Sequence, residues 1–215
     1  MARLWRYGGR ALLVYLGVMT TMPAQAAGPL IWALGDSLTA GYGLPPADGF
    51  TNQLQAALHA AGVPATVRNG GVAGDTAAQG RARLLWGLRG LGAKPDLVIV
   101  ELGANDMLRG LPPAQAAANL DMILTELQRR QIRVLVAGMR AAPNLGPSYA
   151  AAFDAMYPRL ARQHGARLYP FFMDGVAGNR ALIQADGLHP NARGVAIIVR
   201  RMLPTVRAAL GPQRP

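Results

Sequence analysis

The chain has 215 residues, about half of them apolar, which is enough for one substantial core and short for two full domains. It contains no cysteine, so neither a disulfide nor a lipid on a cysteine contributes, and stability must come from the core. The formal charge of +11 is carried almost wholly by arginines scattered along several helical segments, not gathered into a basic stripe interleaved with aromatics, which argues against a nucleic-acid partner.

The first residues read as an address. Arg3, Arg6 and Arg10 precede the apolar run "ALLVYLGVM", and Ala24-Gln25-Ala26 supplies small residues where signal peptidase cuts. The run of about ten residues is short of the roughly 20 that span a bilayer. Residues 1–26 are therefore expected to be a signal peptide and 27–215 one catalytic domain, exported to the periplasm or secreted. Without its three leader arginines the mature chain carries +8, which allows at most peripheral contact with anionic membranes.

Apolar runs of strand length follow at 30–34, 65–69, 96–102 and 132–139, with a shorter one from 166. They are nearly continuous, as in strands covered on both faces. Helical periodicity fills the gaps: Phe50, Leu54 and Leu58; Leu84, Leu88 and Leu91; Leu120, Ile123, Leu124 and Leu127. A last helix follows Pro190, which suits its first position, and the Gly- and Pro-containing residues 207–215 read as a frayed tail. Alternating strands and helices joined by short connections predict a three-layer α/β/α sandwich around a five-stranded, mostly parallel, flavodoxin-like sheet.

Such sheets bind ligands beyond the carboxyl ends of their strands, and polar residues gather there. Gly35-Asp36-Ser37 follows the first strand, "NGGVAGDT" (69–76) the second and Gly103-Ala104-Asn105-Asp106 the third; "DGLHPN" (186–191) precedes the last helix. Ser37 is one of only two serines, and at a strand end it is a candidate nucleophile, although the Gly-x-Ser-x-Gly elbow is absent. A serine needs a base oriented by a third group. Of the three histidines, His59 and His164 lie near helix ends, where a solvated or helix-C-terminal side chain is the ordinary reading. His189 instead sits in a tight turn with Asp186 three residues before it. The backbone amides of Ser37 and Gly74 and the side chain of Asn105 are candidate donors to a developing oxyanion. Asp36, Asp75 and Asp106 share this edge, yet no two-histidine spacing accompanies them, so no metal is expected. No phosphate loop or dinucleotide fingerprint occurs, and no cofactor is expected.

"GDSLTAGYG", "NGGVAGDT", "GAND" and "DGLHPN", in this order and at these separations, resemble the four blocks of the SGNH, or GDSL, hydrolases across essentially the whole mature chain. The resemblance implies Ser37 as nucleophile, His189 as general base and acid, Asp186 as its orienting carboxylate, and Ser37, Gly74 and Asn105 as oxyanion hole. It implies a metal-free, cofactor-free hydrolase, taken here as a monomer, acting on small esters, thioesters or lysophospholipids. Two other readings share the fold: a carbohydrate O-deacetylase with a shallow polar cleft, and a non-catalytic binder of anionic lipid or polysaccharide. Residues 139–149 are expected to form a loop beside the acyl site, with Met139, Pro143, Leu145 and Tyr149 as candidate lining.

Overall fold

Five strands and seven helices alternate in the computed structural model, which describes residues 28–211. The strands are β1 (Leu30–Gly35), β2 (Thr66–Gly71), β3 (Leu97–Glu101), β4 (Arg133–Ala137) and β5 (Arg167–Tyr169). The helices are α1 (Ser37–Ala40), α2 (Phe50–Ala60), α3 (Ala77–Gly90), α4 (Ala104–Leu108), α5 (Pro113–Arg129), α6 (Pro147–Gln163) and α7 (Ala192–Leu210). The predicted signal peptide lies outside the described residues.

Every strand pair is parallel, in the order β2-β1-β3-β4-β5. The chain leaves β1 towards one side of the sheet and returns at β3 on the other, so the crevice opens above the carboxyl ends of β1 and β3. Helices α2 and α7 pack together on one face, and α3, α5 and α6 form the layer on the other. Strands β1 and β3 are buried along nearly their whole length, which is why their sequences read as unbroken apolar runs. Strand β2 departs from that expectation. It is an edge strand whose exposed Thr66, Arg68 and Asn69 face solvent, and it runs on through Gly70 and Gly71, opposite Leu34 and Gly35.

The sequence reading also differs from the structure in the second half of the chain. Helix α6 begins at Pro147, inside the segment expected to be a loop, so only 138–146 connects it to β4. Pro147 takes a first-turn position where no amide is needed, and Pro158 is tolerated further on. Strand β5 is only three residues long because Pro170 has no N–H to continue the ladder. The α7 cap is Asn191, whose side chain accepts from Gly194 N at 3.0 Å; Pro190 stands just outside the helix and its carbonyl accepts from the Gln184 side chain. Helix α7 extends to Leu210 with Ala209 and Leu210 buried, so the fraying expected from 207 does not begin there; 212–215 lie outside the described residues.

Candidate active site

Asp36 opens the site. Its side chain accepts from Leu38 N at 3.0 Å and caps α1, which leaves Ser37 as the first residue of that helix, directly after the cap. Arg83 of α3 braces the same corner: it donates to Gly35 O at 2.8 Å, to Gly70 O at 2.7 Å and to the Asp75 carboxylate at 2.5 Å. One guanidinium thus ties the ends of β1 and β2 to the loop after β2, using the several donors that a planar fork provides.

The turn before α7 reaches this corner from the other end of the chain. His189 Nε2 lies 2.9 Å from Ser37 Oγ, and His189 Nδ1 lies 2.6 Å from Asp186 Oδ2. The other Asp186 oxygen accepts from the backbone amides of Leu188 and His189, at 2.9 and 3.0 Å. The Leu188 amide first, then the His189 side chain and amide, hold the Asp186 carboxyl down at about 2. Gln184 locks the turn in place by donating to Tyr42 O and Pro190 O, while its own amide donates to His189 O. Tyr42 lies against the imidazole with ring centroids 4.7 Å apart.

Asn105 stands on α4, directly after β3, behind Gly103. That glycine has φ +111°, and a Cβ there would sit 2.5 Å from the Tyr157 hydroxyl, so both conformation and space require glycine. The Asn105 amide donates to Asp36 Oδ2 and to Asp75 O, each at 3.0 Å, which engages both of its hydrogens. Gly74, at φ +86°, is one residue from that second acceptor, and its own carbonyl accepts from Arg109 at 2.6 Å. Among the described residues neither the Ser37 nor the Gly74 amide has an acceptor within the protein.

A cavity of about 210 Å³ opens beside Ser37, Asn105 and His189. Its walls are largely apolar, with Met107, Leu108, Met139, Phe171, Met173 and Ile183 among them, and Arg140 at the edge 5.3 Å from the Phe171 ring centre. Gly74 and Asp186 do not line it: the former belongs to the loop behind Asn105, the latter stands behind the imidazole. Of the four residues expected to wall an acyl channel, Met139 alone does so. Leu145 and Tyr149 pack onto the core instead, Tyr149 stacking on Phe153 and donating to Leu111 O, and Pro143 starts a single 3-10 turn.

The sequence of residues 33–197 matches the model of the GDSL-like lipase/acylhydrolase family. The chain belongs to that family. It is 37% identical over 192 residues to the esterase TesA of Pseudomonas aeruginosa, covering 89% of this chain and 94% of that one. It is 38% identical over 174 residues to the thioesterase 1/protease 1/lysophospholipase L1 of Escherichia coli (strain K12), covering 81% of each. The crystal structure of AlinE4, an SGNH-hydrolase family esterase, superposes with a TM-score of 0.74 at 48% identity, covering 88% of this chain and all of that one.

Within this GDSL-family site the remaining carboxylates are not alike. Asp75 pairs with Arg83, and Asp106 accepts from Ala77 N at 2.7 Å, burial raising its carboxyl above the usual range. Burial pushes Asp36 up to about 6. Burial first, and then the charge of Asp36, drive Glu101 well above the ordinary carboxylate range. Sequence reasoning passed over Glu101 and Arg83. An acid closing the otherwise apolar run "DLVIVEL" was the available signal, since a strand covered on both faces has no solvated place for it. His164 stands at the C-terminus of α6 as expected but is not solvated: its side chain is 8% exposed, bound to Asp121 at 2.7 Å and to Gln128 at 3.1 Å, so it staples α6 to α5.

Proposed function

We propose that the chain is an exported serine esterase that forms an acyl-enzyme on Ser37. The observation that carries this reading is the 2.9 Å contact between Ser37 Oγ and His189 Nε2 at the mouth of an apolar cavity. His189 Nε2 takes the hydroxyl proton as Oγ attacks the ester carbonyl carbon, and Asp186, through Nδ1, fixes the ring and stabilises the imidazolium. The carbonyl oxygen becomes negative and is received by the amides of Ser37 and Gly74 and by the side chain of Asn105. Collapse of the tetrahedral intermediate expels the alcohol or thiol, which takes the proton from His189. Water, activated by the same imidazole, then releases the acid.

The cavity also bears on substrate class. At about 210 Å³ it is smaller than the roughly 300–1,000 Å³ of pockets for drug-sized ligands, and its walls suit an acyl or aryl group in preference to a sugar. Short-chain and aryl esters are therefore the first substrates, ahead of long-chain thioesters and lysophospholipids. Export to the periplasm or beyond rests on the leader-like residues 1–26.

Initial rates on p-nitrophenyl esters of increasing acyl length test this. Wild type should turn over the short esters fastest, and Ser37→Ala should lower kcat by about 10⁴-fold or more with thermal unfolding nearly unchanged. Equal activity in the variant would remove Ser37 from the mechanism.

A further inference from the structure

Beneath the Asp36-Ser37 turn lies a second carboxyl group that takes no part in the acyl-transfer steps. Glu101 ends β3, opposite Gly35 in β1, and is completely buried. Its Oε2 accepts from the Thr39 hydroxyl at 2.8 Å and, at 3.4 Å, from Asp36 N. Its Oε1 accepts from no donor, and the Asp36 carboxyl is within hydrogen-bonding reach. The fold makes room for this arrangement. A Cβ on Gly35 would stand 2.1 Å from Thr39 Oγ1 and 2.7 Å from Glu101 Oε2, so the glycine before Asp36 vacates the space that Thr39 and Glu101 fill.

Among the described residues no arginine, lysine or histidine pairs with either carboxyl. Two buried carboxyl groups in contact without a cation cannot both be ionised; they share one proton, and the less solvated member retains it. Glu101 is fully buried and its Oε1 has no donor to stabilise a negative charge, so it is the member that keeps the proton. Asp36 has Leu38 N and Asn105 Nδ2 as donors, so it is the member stabilised as the anion. A carboxylate that also receives an O–H donor is a weaker acceptor for its remaining partners. That matters for Asn105, whose two amide hydrogens are both engaged in the resting site.

We propose that Glu101 is a positioning residue: as the neutral acid it donates its proton to Asp36, holds the pair at a single negative charge, and thereby lets Asn105 turn an amide hydrogen from Asp36 to the substrate oxyanion. This rests on the serine-esterase reading. Loss of the donor leaves Asp36 gripping Asn105 more tightly just where negative charge develops. The cost then falls on the chemical step and spares ground-state binding.

Two measurements on the intact enzyme test it. The first is kcat and KM on a short p-nitrophenyl ester for wild type, Glu101→Leu and Glu101→Gln. Leucine removes the donor and should lower kcat roughly 10- to 100-fold with KM within about twofold. Glutamine is neutral, donates through its amide and accepts from Thr39, and should restore kcat to within about threefold of wild type. The second is the wild-type minus Glu101→Gln infrared difference spectrum at neutral pH, which should contain the C=O stretch of a protonated carboxylic acid. Glutamine no better than leucine, leucine as active as wild type, or a difference spectrum showing only a carboxylate band would each overturn the proposal. Should leucine prevent folding, glutamine and the infrared band still decide it. The spectrum needs no substrate, so a wild type without esterase activity would overturn the serine reading while the band still reports the shared proton.

Discussion

Asp186 and Asp36 approach the Ser37–His189 pair from opposite sides, and their surroundings give them opposite tendencies. Asp186 keeps 38% of its side chain in water and accepts from two amides and an imidazole, so its carboxyl is held at about 2. Asp36 is 1% exposed, stands over the buried Glu101 and is pushed up to about 6 by burial. The first is a permanent anion that can stabilise an imidazolium. The second belongs to a pair in which one proton is retained, so the floor of the site carries less negative charge than its two acids suggest. Identical side-chain chemistry serves two purposes because solvent reaches one and not the other.

The sharpest way to break this contrast is Asp186→Asn. The amide cannot stabilise the imidazolium and can favour the wrong ring tautomer, so kcat should fall by about 10³- to 10⁴-fold while circular dichroism stays that of wild type. A loss under tenfold would mean that the exposed carboxylate does not orient the base.

Stability against pH sharpens the other half. A carboxyl whose folded value lies above its unfolded one binds more protons when folded, so stability falls as pH rises from about 4 through about 6 for Asp36, and beyond for Glu101. Asp186 has the opposite sign: its contribution is present above about pH 4 and is lost as pH falls towards 2. Denaturant melts from about pH 5 to 7 should lose stability with rising pH in wild type. In Glu101→Gln that decline should be shallower by about 1.4 kcal/mol per pH unit, the value of one proton. Parallel slopes would show that Glu101 titrates as an ordinary exposed acid.

A smaller effect is expected at the cavity wall. Met139→Ala enlarges the space beside Ser37 and should shift the ratio of kcat/KM for longer over shorter acyl chains upward by roughly tenfold, within the range that one or two methylenes command. An unchanged ratio would place the acyl chain elsewhere.

Much of the fold and the convergence of the candidate residues on one sheet edge could be read in advance, and the parts that escaped share physical causes. Ser37, Asn105 and His189 announce themselves because polar residues at strand ends stand out against apolar runs. Helix α6 escaped because Pro147 and Pro158 interrupt a stretch of alanines, and prolines read as breaks unless the first helical turn is known to accommodate one. Edge and centre could not be told apart from strand composition alone, so the exposure of β2 came from the pairing order. Tyr149 and Leu145 were misplaced because a loop's composition does not say which way it folds; it packs onto the core. Glu101 and Arg83 were overlooked because a single charged residue inside an apolar or helical pattern has no periodicity. Its partners lie on other elements, and only tertiary structure brings them within 3 Å.

If Ser37, activated by His189, is the nucleophile, a covalent serine reagent must find it. Wild type, Ser37→Ala and His189→Ala would be incubated with a small fluorophosphonate, and the intact mass and labelled peptide read by mass spectrometry. One label per chain is expected, located on Ser37, absent from Ser37→Ala and much slower to form in His189→Ala. A label on another residue, or labelling that persists in Ser37→Ala, would contradict it.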